Sequence, residues 1–145
     1  MQLTYFGANG WLLELAGQRV LLDPWLVGPL RFGRAGWLFE GTLPRDWTIP
    51  EQLDLLLLSQ GLPDHAHPAT LEQLPKTLPV VGSAGAVQQA CRFGFEQTQT
   101  LLPGECLQRG PLQIQASAGA PVPQVENGYL LRGACLLYTS DAADE

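Results

Sequence analysis

The sequence predicts the α/β (α+β) class, with one mixed β-sheet carrying two helices. Three features predict it: a hairpin pattern over residues 11–22, a nearly continuous apolar run at Leu53–Leu58, and two helix-sized segments between residues 67 and 93 that alternate with strands. A strand–helix–strand unit favours parallel pairing, whereas the hairpin must be antiparallel, so the sheet is mixed.

Leu3–Phe6 is a short β-prone run closed by Gly7-Ala8-Asn9-Gly10, which is turn chemistry. Trp11–Leu15 and Arg19–Leu22 form the hairpin, with Gly17 free to take the positive φ of a tight connection. Pro24 removes a backbone donor and disposes Asp23 to an extended conformation, so the ladder stops with an Asp at the strand end. Residues 26–50 keep no period of 2 or 3.6 and read as a long loop. It carries Trp37, Phe39 and Trp47 just after Trp25, and these rings suit either a flap that plugs the core or a lid over the loop at 59–68.

Leu53–Leu58 is a strand covered on both faces. A short helix at His67–Leu74 follows, with Pro68 near its first turn, and then a strand at Pro79–Ser83. Ser83 caps a second helix, Ala84–Phe93, which Gly94 ends. Four β-prone segments close the chain, at Thr98–Leu102, Glu105–Gln108, Leu112–Ala116 and Tyr129–Arg132, separated by Pro-Gly, Arg-Gly-Pro and Asn-Gly turns.

With 145 residues and 46% hydrophobic content the chain is long enough for one domain with a substantial core. A formal net charge of −6 argues against gripping a phosphate backbone, so no nucleic-acid partner is expected. No apolar stretch approaches the roughly 20 residues of a bilayer span, and the start lacks the basic and apolar regions of a signal peptide. A cytoplasmic protein without a membrane partner is the expectation. Cys91, Cys106 and Cys135 are odd in number and lack a C-x-x-C pair, so they read as reduced thiols, two of them packing groups.

The chemistry concentrates where the apolar strand stops, in Ser59-Gln60-Gly61-Leu62-Pro63-Asp64-His65-Ala66-His67-Pro68, which holds both histidines of the protein. A rigid strand that ends in a loop of Asp and His is a favourable place for metal or catalytic groups. Asp64, His65 and His67 are the candidate metal donors. An alternative needs no metal: Asp64 braces the loop by hydrogen bonding while His65 and His67 are ordinary surface or helix-start residues.

The opening strand with Gly7, the hairpin ending in Leu21-Leu22-Asp23-Pro24-Trp25, and the apolar strand leading into Ser59 and Asp64-His65 occur together and in order. This combination resembles the amino-terminal half of the metallo-β-lactamase superfamily, in its MBL-fold metallohydrolase, sugar-lactonase-like branch. The resemblance implies half of an αββα sandwich whose exposed sheet face lacks its partner layer. In active members the loop reads Ser/Thr-His-x-His-x-Asp-His and holds a zinc pair with help from a later His. Here position 60 is Gln and position 62 is Leu, and Ala116–Pro121, where the later His would fall, contains none. Asp64 and His65 keep their family positions. Asp23 corresponds to an Asp that steadies a ligating His, and Gln60 stands beside the metal, not on it. The chain is also similar to plastid and cyanobacterial proteins whose loop reads Ser-Gln-Gly-Leu.

Leu136–Glu145 looks like a translated sequencing adaptor, which could also encode Cys135. The expectation is therefore a truncated domain over residues 1–134 and a non-native tail over 135–145. Setting aside Asp141, Asp144 and Glu145 takes the net charge from −6 to about −3.

Two functions compete. One is a metal-dependent hydrolase with a degenerate metal motif; zinc at Asp64 and His65 is then completed by downstream ligands of a longer parent, and none is expected in this chain alone. The other is a non-catalytic scaffold that binds a small ligand or a protein. A nucleophilic or redox role for Cys91 or Cys106 is a weaker third, since no base is placed to activate either thiol.

Overall fold

The computed structural model describes residues 1–32, 40–119 and 126–133. Trp37, Phe39, Ala120–Pro121 and the tail with Cys135 lie outside the described residues. Strands β1 (Gln2–Gly7), β2 (Gly10–Leu15) and β3 (Gln18–Leu22) form an antiparallel meander. The β2–β3 turn places Ala16 at φ 54° and Gly17 at φ 73°, the pair of positive values a two-residue hairpin turn requires. Strand β6 (Leu55–Leu58) then pairs in parallel with β3 and with β7 (Val80–Gly82), and β7 pairs in parallel with β8 (Thr98–Thr100). The six-stranded order is β1-β2-β3-β6-β7-β8.

Helices α1 (Pro68–Gln73) and α2 (Ala84–Arg92) cover one face of this sheet. Leu12, Leu21, Leu56, Leu58 and Val80 point toward them and meet Leu71, Leu74, Ala86 and Ala90. The Ser83 hydroxyl accepts from the Ala86 N–H at 3.4 Å, and Gly94 at φ 82° ends α2, as expected of a cap and a left-handed terminator.

The opposite face is covered too, which corrects the expected bare face. Strands β9 (Cys106–Arg109), β10 (Leu112–Ala118) and β11 (Asn127–Gly133) form a second sheet, ordered β11-β10-β9. Alternation along β10 sends Leu112, Ile114 and Ala116 inward onto Val20, Leu55, Leu57 and Val81. All four leucines of β6 are therefore fully buried, and each contributes about 1.5–3 kcal/mol of burial free energy. Coverage stops short of the edge: by strand register Leu3 and Tyr5 share the face of Leu13 and Trp11, and both stay about half exposed at 50% and 52%.

Three further expectations change. The loop over 26–50 contains a two-stranded ribbon, β4 (Leu30–Arg31) with β5 (Glu40–Gly41). Trp47 packs on the helical core and its indole N–H donates to the Phe6 carbonyl at 2.7 Å, while Trp25 is buried, so these rings plug the core. Asn127-Gly128 is not a turn but the start of β11, because the Asn127 N–H donates to Ser59 O at 3.0 Å and its amide to Leu101 O at 2.7 Å. Cys91 and Cys106 are free as expected but exposed, so neither is a packing group. Among the described residues, no helix is long and apolar enough to cross a membrane.

Candidate functional site

The carboxyl ends of β3 and β6 lie side by side in parallel register, Leu22 opposite Leu57, so the residues that follow each strand meet. Asp23 follows β3 and Ser59 follows β6. Asp23 Oδ1 accepts from the Ser59 backbone N–H at 2.7 Å, and Oδ2 accepts from the Ser59 hydroxyl at 2.5 Å. Asp23 is not extended, as its neighbour Pro24 suggested, but lies at φ 42°. Its own N–H donates to Leu57 O at 3.1 Å, and together with the two Ser59 bonds this offsets the strain of a left-handed Asp.

The loop from Ser59 to His67 turns on hydrogen bonds from the His65 and Ala66 N–H groups to Leu62 O, at 3.0 and 2.7 Å. Gly61 is required there: a Cβ would stand 2.6 Å from Gly85 O in the first turn of α2. The turn brings His65 back over Asp23, with Nδ1 at 2.9 Å from Oδ2 and 2.8 Å from the Ser59 hydroxyl. A carboxylate only accepts, so Nδ1 carries the proton and neutral His65 presents an unprotonated Nε2. Around that Nε2 stand Asn9 Nδ2 at 3.2 Å, Gln60 Nε2 at 3.3 Å and Asp64 Oδ2 at 3.4 Å. Burial works to lower the His65 pKa, but the Asp23 hydrogen bond and the charges of Asp23, Asp64 and Glu126 outweigh it and raise the value above 6.5.

The structure thus brings Asp23, Gln60, Asp64 and His65 together. It places His67 elsewhere. His67 is the N-cap of α1: Nδ1 accepts from the Thr70 N–H at 3.4 Å and stands 3.1 Å from the Thr70 hydroxyl, while Nε2 lies 3.2 Å from Pro29 O. A carbonyl needs a donor, so Nε2 is protonated and both ring nitrogens are engaged within the protein. Burial lowers its pKa, partly offset by the Pro29 bond. No hydrogen bond or ion pair joins His67 to the other four among the described residues, so its place is structural and not that of the expected third donor.

Sequence reasoning missed Asn9, read only as part of a turn. Its amide nitrogen reaches Asp64 O at 3.3 Å and Asp64 Oδ2 at 3.5 Å as well as His65. The missed signal is positional: the β1–β2 turn with Ala8 at φ 47° lies at the same sheet end as Asp23, across the hairpin. Tyr129 was read only as a strand residue. Its hydroxyl donates to Leu58 O at 3.0 Å and accepts from Asn127 at 3.1 Å, and burial holds the phenol well above its ordinary pKa. Asn9, Trp11, Tyr129, Leu131 and Glu126 line a cleft of about 360 Å³ together with Asp23 and His65.

Among the described residues, no three His, Cys, Asp or Glu side chains gather to hold a metal ion. Asp64 and His65 are two, and Leu62 is half-buried and cannot ligate. Two oxygens at the site, Gln60 Oε1 and Asp64 Oδ1, are buried without a hydrogen-bond partner among the described residues. The described protein groups therefore leave acceptors unsatisfied there, each at a cost of about 1–3 kcal/mol.

Comparison with known proteins agrees with this architecture. The family model described as "Beta-lactamase superfamily domain" matches residues 2–144. The curated cytidine monophosphate-N-acetylneuraminic acid hydroxylase of Cricetulus griseus is 38% identical over 82 residues, 54% of this chain but 14% of its own length. The inactive counterpart of Homo sapiens is 37% identical over 75 residues, covering 51% of this chain and 15% of its own length. The chain therefore spans only a small part of these relatives. Among solved structures, isothiocyanate hydrolase from Delia radicum gut bacteria superposes with a TM-score of 0.69 at 18% identity, over 92% of this chain and 59% of that one. CmlA, a diiron β-hydroxylase from Streptomyces venezuelae, does so with a TM-score of 0.67 at 22% identity, over 90% of this chain and 27% of that one. On the match over almost its whole length, the chain belongs to the β-lactamase superfamily domain family.

Proposed function

We propose that this chain is the amino-terminal part of a metal-dependent hydrolase of the superfamily, with a degenerate loop that takes one metal ion in place of a pair. One observation carries the reading: Asp23 Oδ2 accepts from His65 Nδ1 at 2.9 Å, so the unprotonated Nε2 is left 3.4 Å from the Asp64 carboxylate. A carboxylate behind an imidazole is the arrangement that fixes a ligating His and raises its basicity.

The residues do not fit a zinc pair. Gln60 and Leu62 stand where the superfamily motif has imidazoles, and His67 is committed to the α1 cap. They do fit part of a single-ion site, with Asp64 and His65 as ligands and the remainder from downstream ligands of a longer parent. A bound ion supplies polarisation of an ester, lactone, amide or phosphodiester bond toward attack by water. Asp23 and Ser59 keep His65 in the ligating tautomer, and Asn9 holds Asp64 beside it. Trp11, Tyr129 and Leu131 give the cleft an apolar wall against which a small-molecule substrate sheds water.

The second reading, a non-catalytic scaffold, is favoured by Leu62 and by the two amide groups already facing His65 Nε2. The two readings separate in one experiment. The longer parent, produced with zinc or iron supplementation, is expected to carry metal and to hydrolyse at least one member of an ester, lactone and phosphodiester panel. Activity should be lost to a chelator, restored by metal and absent in Asp64→Ala. Metal below a few tenths of an equivalent, or hydrolysis indifferent to chelation, overturns the hydrolase reading.

A further inference from the structure

The amide groups around His65 are not equivalent. Asn9 Nδ2 faces two acceptors besides His65, the Asp64 carbonyl at 3.3 Å and Asp64 Oδ2 at 3.5 Å, so its nitrogen must point inward and donate. Gln60 has no such constraint. Among the described residues its nitrogen pairs only with His65 Nε2, at 3.3 Å, and its oxygen has no hydrogen-bond partner; the residue is 6% exposed. A carboxamide is nearly symmetric in shape, so a half-turn about its last bond exchanges oxygen for nitrogen without moving a neighbour.

Donors bonded to a first-row divalent ion at about 2.1 Å stand roughly 3.0–3.4 Å from one another. His65 Nε2 stands at this spacing from Asp64 Oδ2, 3.4 Å, and from the nitrogen end of the Gln60 amide, 3.3 Å, the place its oxygen takes after the half-turn. The orphaned oxygens Gln60 Oε1 and Asp64 Oδ1 belong to two of the same three side chains, and Asp23 and Glu126 add carboxylates to the adjoining cleft. Buried acceptors without donors, in surroundings of negative charge, are what a cation relieves.

The geometry points to Gln60 as a ligand of the ion, through its amide oxygen, and as the residue that sets which ion binds. This rests on the single-ion reading above and adds to it that Gln60 stands on the metal, not beside it. A nitrogen donor is replaced by a hard oxygen donor, giving one imidazole, one carboxylate and one amide carbonyl. Imidazole suits zinc, whereas carboxylate and carbonyl oxygens suit manganese and magnesium, so Gln60 narrows the advantage that zinc holds over manganese in a nitrogen-rich site.

The test is titration of the longer parent with Mn²⁺, read by loss of the free-ion paramagnetic signal, and with Zn²⁺, read by competition and calorimetry. Wild type, Gln60→Leu, Gln60→Glu, Gln60→His and Asp64→Asn are compared. Gln60→Leu should weaken Mn²⁺ about tenfold, the effect of losing one supporting oxygen. Gln60→Glu, of the same shape with an obligatory oxygen, should bind Mn²⁺ at least as tightly as wild type, and it decides the matter if the leucine variant fails to fold. Gln60→His should raise the Zn²⁺ to Mn²⁺ affinity ratio by about tenfold. If wild type binds neither ion, both the single-ion reading and this inference fail. If wild type binds and Asp64→Asn does not, but Gln60→Leu matches wild type, or Gln60→Glu binds Mn²⁺ more weakly than wild type, only the role of Gln60 is overturned.

Discussion

Replacing Asp23 by Asn isolates its carboxylate charge. Asn is among the few residues that accept a left-handed backbone, so φ 42° is kept, and its oxygen can still accept from the Ser59 N–H, which now lies 2.7 Å from Oδ1. The amide nitrogen falls where Oδ2 accepts from the Ser59 hydroxyl at 2.5 Å and from His65 Nδ1 at 2.9 Å. Two donors then meet a donor. The conflict is relieved if the His65 proton moves to Nε2, which converts two charge-assisted hydrogen bonds into neutral ones. Charge-assisted bonds contribute about 1.5–3 kcal/mol and neutral ones about 0.5–1.5, so the change costs about 2 kcal/mol. At this chain length that lowers Tm by roughly 6 °C. Nitrogen-15 NMR of the imidazole reads the tautomer: wild type is expected with Nδ1 protonated, the variant with Nε2 protonated and a lower His65 pKa. A Tm within about 2 °C of wild type, together with an unchanged tautomer, would refute the role assigned to Asp23.

The two histidines titrate in opposite senses. The raised His65 pKa contributes stability that is fully present below 6.5 and lost as pH rises through the folded value, whereas the lowered pKa of His67 contributes stability present above 6.5 and lost as pH falls through its folded value. Chemical denaturation from pH 8 to pH 5 should therefore show His67→Asn, which keeps a capping side chain, with less acid-side loss than wild type; an identical profile would contradict the neutral, Pro29-bonded ring. Gly61→Ala pushes a Cβ to 2.6 Å from Gly85 O and should cost about 1–3 kcal/mol in the same assay, while a loss under about 0.5 kcal/mol would show that the loop yields freely.

Much of the sheet was legible because its signals are local. The four leucines of β6, the Ser83 cap, and Gly17 and Gly94 with their positive φ each follow from a few adjacent residues. The second sheet was harder. Its strands are recognisable by alternation, but that β9–β11 lie over Val20, Leu55 and Leu57 depends on contacts across more than fifty positions. Asn127-Gly128 has turn composition, yet a buried backbone bond to Ser59 and an amide bond to Leu101 recruit it into β11. The same distinction governs the site. Asp64 and His65 stand out in sequence, and Asp23 is visible through the strand end it occupies. Asn9 has no chemical signature of its own and enters only because the β1–β2 turn and the loop after β6 share one end of the sheet. His67 misleads for a related reason: spacing of two from His65 suits a shared ion, but the intervening backbone starts α1 and turns its ring to Thr70 and Pro29.

The claim that the loop is a one-ion site is tested most directly by binding stoichiometry. Metal content of the longer parent after equilibration and removal of free ion, measured together with calorimetric titration of Zn²⁺, should give one ion per protein and none in Asp64→Ala or His65→Ala, with His67→Asn unchanged. Two ions per chain, no ion at all, or binding that survives the loss of both Asp64 and His65 would contradict it.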